Sequence, residues 1–429
     1  MTRRGWLWVA FALVHGFVAV MGYVLPHGPM GDVYLVYEPW SGCALGFAEY
    51  CGASGREIVG ITESWVYPAL ALVPMLAAWL FEGLVSYTPA WAILVTLVDA
   101  VAFAVLIGNG RSRGRAVAAG FWLLFMLLLG PVGIYRLEGI TVPLAIMGCL
   151  WLVRRPWLAS MLLAAATWIK VWPAAVLAAA VVALRRRLAI VGGAIVVSAA
   201  TMATVVALGG GRYLFGFITD QTGRGLQIEA PISAVYLWYS ALDVFGSQVY
   251  YDADLLTFQV TGPAVNAVIA VMTPLLAASV LALLLLGVWA VRRGAHVIRV
   301  LPALGFALVL ALIVVNKVGS PQYMTWIVAP LVLGLVLDRG TWIRPAAFAA
   351  GTALLTQIVY PIFYNFLMTD HPAWGVVAVL TVRNLALVVL FAWSVLHLVR
   401  VAVDAPARRS GQRATSPRSA PSVIERTSS

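Results

Sequence analysis

The stretch Trp65–Phe81, WVYPALALVPMLAAWLF, is apolar but ambiguous as a membrane span, and its reading sets the side on which the later loops fall. The chain around it is built of apolar runs. Its 429 residues are 62% hydrophobic and only 10% charged, with a mean hydropathy of +0.94. No soluble domain of that length has this balance, so the chain reads as an all-α polytopic membrane protein. A spanning helix needs roughly 20 apolar residues, fewer where protein covers its ends. The predicted spans are 6–25, 90–108, 116–133, 140–153, 157–170, 172–184, 188–208, 263–290, 297–315, 322–337, 344–363 and 373–400. Arg3 and Arg4 put the N-terminus in the cytoplasm. If 65–81 does not cross, the clusters at 111–115, 154–155, 185–187, 292–299 and 339–344 and the arginines of the tail all fall inside. If it does cross, they all fall outside. The positive-inside rule therefore makes 65–81 a re-entrant or half helix, tolerable when buried in protein. About twelve crossings follow, with both termini cytoplasmic.

The net charge of +11 resides in short arginine clusters between apolar runs, which is an orientation signal and not a nucleic-acid footprint. The basic, apolar N-terminus lacks a small-x-small cleavage site and reads as a retained first helix. Residues 1–403 form one transmembrane domain. The tail 404–429, rich in Arg, Ser and Pro, is expected to be disordered and able to touch anionic lipid. Cys43 and Cys51 share one loop, where a disulfide and two free thiols are both open. Cys149 lies in an apolar run and reads as packing.

The same parity gathers the polar features on the outer side. The first outer loop, 26–64, opens HGPMGDVYLVYEPW and carries Asp32, Glu38, Glu49, Glu57 and Glu63 against one Arg56. Asp32, where a helix leaves the membrane beside Gly31 and Tyr34, is a candidate general base, because partial desolvation raises a carboxyl toward useful basicity. An ordinary loop aspartate is the plainer reading. Arg136 and Glu138 suit a phosphate or sugar hydroxyl, or form a local ion pair. The chain has two lysines, Lys170 and Lys317. Lys170, between Trp168 and Trp172, either snorkels to the interface or reaches a cavity, and composition favours snorkelling. The second outer loop, 209–263, holds Arg224, Gln227 and Glu229 and a short apolar piece, Ile232–Phe245, expected as a second re-entrant helix. Arginine's planar donors match phosphate oxygens. Lys317, Ser320, Gln322 and Tyr323 form another polar group. Two lysines and two arginines on one face suit a phosphodiester and a phosphate leaving group. The histidines at 15, 27, 296, 371 and 397 are scattered, so no metal site is expected. Asp99 and Arg383 fall within spans, as functional suspects or as buried ion pairs, one option being with each other. A transporter shows such charges at the midplane in broken helices, whereas collection at one face favours an interfacial enzyme over an outer-face cavity.

Taken in order, several short motifs resemble a known family. They are Gly31-Asp32-Val33-Tyr34, Val66-Tyr67-Pro68, Tyr135-Arg136-Leu137-Glu138, Ile169-Lys170-Val171-Trp172-Pro173, Arg224-Gly225-Leu226-Gln227-Ile228-Glu229 and Ser320-Pro321-Gln322-Tyr323-Met324-Thr325-Trp326. Together they resemble the actinobacterial polyprenol-phosphate-mannose-dependent mannosyltransferases, glycosyltransferase family 87 of the GT-C superfamily, over roughly residues 5–400. The resemblance implies an inverting membrane enzyme that takes its sugar from a lipid-linked phosphosugar on the outer face, with no cofactor and no metal. Asp32 matches the acidic residue of the superfamily's first outer loop. Two departures stand out. The family's Arg-Tyr-Asp appears here as Arg136-Leu137-Glu138, which passes the acidic role to Glu138. Some members carry histidine where Gln322-Tyr323 stands, so no histidine role carries over.

The implied mechanism sets Asp32 as base toward an acceptor hydroxyl. Lys170, Arg224, Lys317 and Arg136 bind the donor phosphate. Tyr34, Glu138, Gln227, Glu229, Gln322 and Tyr323 contact sugar or acceptor. The expected partners are a polyprenyl-phosphate sugar, a glycolipid acceptor such as a phosphatidylinositol mannoside or lipoglycan, and membrane lipids, with no nucleic acid and a monomeric protein. A polyprenyl-phosphate-arabinofuranose donor is the alternative within the class. A lipid-linked sugar flippase is the alternative outside it.

Overall fold

The structure is a computed structural model and describes residues 2–405 apart from 53, 54, 56, 220–222, 254 and 256. The expected disorder of the tail falls on residues outside that set from 406 onward.

The chain is mostly helical. α1 (Arg3–Val24) starts where the Thr2 hydroxyl accepts from the Gly5 amide, a standard N-cap. The 26–64 segment is helical through much of its first half. Asp32 opens a π-helical turn over Val33–Tyr37 that runs straight into α2 (Glu38–Leu45), ended by left-handed Gly46. Cys43 and Cys51 are joined by a disulfide. The opening stretch becomes a short helix, with α3 (Leu72–Ala78) flanked by tighter turns at Ala69–Ala71 and Trp79–Phe81. Thirteen residues at 1.5 Å each give about 20 Å, short of a hydrocarbon core of about 30 Å.

α4 (Tyr87–Ile107) and α5 (Arg113–Leu129) follow, then the single turn α6 (Pro131–Ile134) and α7 (Glu138–Trp151). α8 (Pro156–Ile169) and α9 (Pro173–Ala183) start on prolines, whose missing N–H costs nothing in the first turn. Between them the chain is extended at Lys170. α10 (Arg187–Ala207) leads into the 209–263 loop, with α11 (Gly216–Thr219) and α12 (Ala234–Ala241). This loop holds an antiparallel hairpin that departs from the all-α expectation, β1 (Gln248–Asp252) with β2 (Thr257–Thr261). Both strands are rich in Val, Thr, Tyr and Phe, and these residues favour a half-buried pleated surface. The last helices are α13 (Val265–Arg293), α14 (Val297–Val314), α15 (Val328–Leu337), α16 (Arg339–Gln357) and α17 (Trp374–Val403).

Among the described residues, seven helices are long and apolar enough to cross a membrane: α1, α4, α10, α13, α14, α16 with its continuation to Ile362, and α17. The protein is therefore read as a helical membrane protein. The other five predicted spans are helical too, but shorter: α5, α7, α8, α9 and Pro321–Leu337. Prolines 131, 156, 173 and 321 restart the chain where a longer helix would have run. α7, α14 and α15 are interior helices, buried along most of their length, whereas α13 presents its side chains outward. α14 packs on α9, α15 and α17, and α7 packs on α4, α8 and α15. Where helix ends and turns meet on this core, the polar residues collect.

Candidate functional site

The turn between α6 and α7 carries Tyr135-Arg136-Leu137-Glu138. It is tightly folded because Gly139 lets the first turn of α7 lie against the Ile134 carbonyl, where any side chain would collide. The turn puts Arg136 and Glu138, both buried, at the centre of the site. The Arg136 guanidinium holds the Asp32 carboxylate in a direct ion pair and donates to the Tyr360 hydroxyl at 3.1 Å. The Leu137 amide donates to the Tyr37 hydroxyl at 3.3 Å, fastening the π-helical turn beside Asp32 to the same place. Asp32 therefore sits at an interface anchored on both sides, with its side chain 30% exposed.

Glu138 is fully buried. Its Oε1 accepts from Lys170 Nζ at 2.7 Å and from Trp326 Nε1 at 3.1 Å. Lys170 does not snorkel, contrary to the favoured sequence reading. The extended residue between two short helices turns its amine inward, between the rings of Tyr67 at 5.3 Å and Tyr323 at 5.6 Å. Tyr323 stacks on Trp326 at 4.0 Å, and Trp326 stacks on Trp172 at 6.2 Å. Gln322 beside them is buried.

The 209–263 loop closes over this group. Residues 226–228 run beside β2: Ile228 donates to the Phe258 carbonyl and Val260 to the Leu226 carbonyl. On the other edge the Gln227 amide donates to the Lys317 carbonyl at 3.0 Å, and Gly319 donates to Gln227 Oε1 at 3.1 Å. Gly319 is required here, because a Cβ would lie 2.4 Å from the Ala230 nitrogen. Half-buried Arg224 and buried Lys317 are thereby brought near each other. Burial pushes the Lys317 amine below its ordinary value, and the Arg224 charge pushes the same way. Arg136 and Arg224 both act electrostatically on Lys170. Glu229 turns away into a buried pair with Arg383 at 3.2 Å and accepts from the Tyr364 hydroxyl at 3.2 Å. Burial pushes its carboxyl up, against the pull of Arg383.

Asp99 and Arg383 do not pair with each other. Asp99 accepts from or shares a proton with His15 Nε2 at 3.1 Å, within α1 and α4, while Arg383 belongs to the site through Glu229. Tyr34 stands apart: it is exposed, and its hydroxyl end lies beside Gly28. Tyr67, Trp326, Tyr360 and Tyr364 complete the site and had no role in the sequence reading of single residues. Tyr67 and Trp326 lay inside the quoted motifs, whereas nothing in the local pattern marks Tyr360 or Tyr364.

Among the described residues the site thus brings together the cations Arg136, Lys170, Arg224, Lys317 and Arg383 and the carboxylates Asp32, Glu138 and Glu229. Five of its buried atoms have no hydrogen-bond partner among the described residues: Arg136 Nε, Glu138 Oε2, Arg224 Nε, Gln227 Nε2 and Arg383 Nε. Buried polar groups are nearly always paired, so this concentration suits a polar, anionic ligand. No group of three or more His, Cys, Asp and Glu side chains converges among the described residues. No family model matches the sequence, and no curated protein matches it significantly.

Proposed function

We propose that the protein is a membrane glycosyltransferase of GT-C type. It moves mannose from polyprenyl-phosphate-mannose to a hydroxyl of a lipid-linked mannoside, a phosphatidylinositol mannoside or lipoglycan, at the outer face. The observation that carries this reading is the convergence of Asp32, Glu138, Lys170, Arg224 and Lys317, from five distant parts of the chain, on one site. A phosphodiester carries one negative charge and the departing polyprenyl phosphate up to two, so the site favours the leaving group over the bound donor. Selective stabilisation of that kind lowers the barrier.

Lys170, Arg224 and Lys317 hold the phosphate. Asp32 accepts the proton of the acceptor hydroxyl as it attacks the anomeric carbon from the face opposite the phosphate, with inversion and without a metal. The transition state has oxocarbenium character, as in other glycosyl transfer. Arg136 is a positioning residue in this scheme: it orients Asp32, and its contact loosens as the carboxylate takes the proton. Glu138 orients Lys170 and leaves Oε2 for a sugar hydroxyl. Gln227 keeps Nε2 for the sugar while its other groups brace the 316–320 loop. About twelve crossings, the half helix 65–81 and cytoplasmic termini put this end of the molecule outside. The acceptor is a membrane glycolipid and the working unit a monomer.

The test is a product analysis of membranes with and without the gene, given labelled polyprenyl-phosphate-mannose and, separately, the polyprenyl-phosphate-arabinofuranose counterpart. Gene-dependent mannosylated glycolipid is expected. Labelled arabinose in the product, with none from mannose, would replace the donor. No gene-dependent transfer from either would remove the enzyme reading.

A further inference from the structure

The far end of α17 and the turn between α13 and α14 enclose a cavity of about 450 Å³. Its lining includes Ile298, Val401 and Ala405 with His296, Arg299 and Asp404. From Arg383, in the site described above, to this end runs an unbroken stretch of α17. Twenty residues of helix make roughly 30 Å, one hydrocarbon thickness. The cavity therefore lies about one hydrocarbon thickness along α17 from Arg383.

Arg299 lines it, and three more arginines lie on the helix ends that frame it. Arg292 and Arg293 close α13, Arg299 lies in the first turn of α14, and Arg400 in the last turn of α17. Arg299 and Arg400 are near enough to act on one imidazole, that of His397. The Arg293 guanidinium lies over the Trp289 ring at 5.7 Å, and its Nε is buried without a hydrogen-bond partner among the described residues. The opposing charges are Asp338 and Asp404, and Asp338 is already engaged with the Thr341 amide and hydroxyl at the start of α16. The N-terminus of the 18-residue α14 adds its own positive end.

We propose that this cavity binds the headgroup of an anionic phospholipid from the leaflet at that end, which is the cytoplasmic leaflet under the positive-inside reading. The phosphate meets Arg293, Arg299 and Arg400. The glycerol backbone meets Ile298, Val401 and Ala405. The acyl chains lie on outward-facing Leu285 and Trp289 of α13 and Leu396 of α17. Basic pockets between spanning helices on the cytoplasmic side suit such lipids. The chain beyond 405 is a poor occupant, because it carries Arg408, Arg409, Arg413, Arg418 and Arg426 against Glu425 alone. The binding is separate from glycosyl transfer and does not depend on it.

The experiment follows thermal unfolding of the purified full-length protein in a neutral detergent. Phosphatidylglycerol, phosphatidylcholine and glycerol 3-phosphate are titrated separately. Phosphatidylglycerol is expected to raise Tm in a saturating manner, and the other two to leave it in place. In Arg299→Gln/Arg400→Gln the half-saturating concentration should rise roughly tenfold or more, as loss of a charge-assisted hydrogen bond implies. Arg154→Gln, at a different turn, should respond like the wild type. If the double variant does not purify, Arg299→Gln carries the same comparison and Arg299→Lys should keep most of the response. An equal response to phosphatidylcholine, a full response to glycerol 3-phosphate, or an unchanged midpoint in the arginine variants would each overturn the proposal.

Discussion

At the scale of single residues, the pair Lys170–Glu138 is the most informative. Both members are buried, and removing one partner of such a pair costs about 3–5 kcal/mol because the other is left charged and unpaired. Lys170→Met should therefore lower Tm by several degrees, and Lys170→Met/Glu138→Gln should regain most of the loss. Activity should not return in the double variant, since both side chains serve the donor; a Tm and activity measurement on the same preparations separates the two effects. Lys317 makes a pH prediction. Its amine is held below the ordinary lysine value by burial and by Arg224, so it loses its charge earlier as pH rises. Binding of polyprenyl phosphate should then weaken at a lower alkaline pH than a normal lysine allows, and Lys317→Arg should move that decline upward. A binding titration at several pH values, giving the same decline for both proteins, would detach Lys317 from the phosphate. Asp32, Glu138, Lys170 and Arg224 were all legible as candidates because charged residues are rare in this chain. Their pairing was not legible. Arg136 reaches Asp32 across roughly a hundred residues, and Tyr360 reaches Arg136 across more than two hundred. No local spacing encodes either contact.

At the scale of elements, the 224–229 segment is clamped between β2 and the 316–320 loop. Gly319→Ala would push a methyl group into the backbone of Glu229 and Ala230. The expected result is an overpacking cost of about 1–3 kcal/mol and a larger loss of transfer than of expression. Gly351→Ala, at a glycine with open space around it, is the matched control. The disulfide between Cys43 and Cys51 fastens the end of α2 to the chain beyond it. Closing so short a loop is worth roughly 2–3 kcal/mol in the chain-entropy account. Reductant should lower Tm in the wild type and leave Cys43→Ser/Cys51→Ser unmoved, which differential scanning can read. The helices of the scaffold were legible because apolar runs of this length are stable as helices in a bilayer and rarely anywhere else. The hairpin and the π-helical turn at Asp32 were missed. A strand in an outer loop is shorter than the window that detects spans, and the alternation in Gln248–Asp252 and Thr257–Thr261 is weak. Lys170 was misjudged for a related reason. Its flanking tryptophans suggested an interface, but the aromatic rings that enclose it, Tyr67 and Tyr323, come from other segments.

At the scale of the whole molecule, Ala69–Phe81 is a short apolar helix of the same class as α7, α8 and α9, so length alone does not separate a half helix from a crossing and loop-charge parity carries the reading of 65–81. The expected topology follows if the shorter helices α7, α8 and α9 traverse within the protein interior. An introduced cysteine at Asp243, which is exposed in the 209–263 loop, should then react with a membrane-impermeant thiol reagent in intact cells. One at Arg154 should react only after permeabilisation. Reversal of that pattern would invert the molecule and move the site inside. Charge placement also bears on the competing transporter reading. Asp99 is held by His15 between α1 and α4 and contacts none of the site's cations, so its loss should affect stability more than transfer. The decisive comparison sets purified wild type beside Asp32→Asn and Asp99→Asn for mannose transfer from labelled polyprenyl-phosphate-mannose to a glycolipid acceptor. A base at Asp32 predicts transfer by the wild type and transfer by Asp99→Asn in proportion to folded protein. It predicts a loss of roughly 10²–10⁴-fold in Asp32→Asn, the usual worth of general-base help, with donor binding retained. Wild-type-like turnover in Asp32→Asn would contradict it.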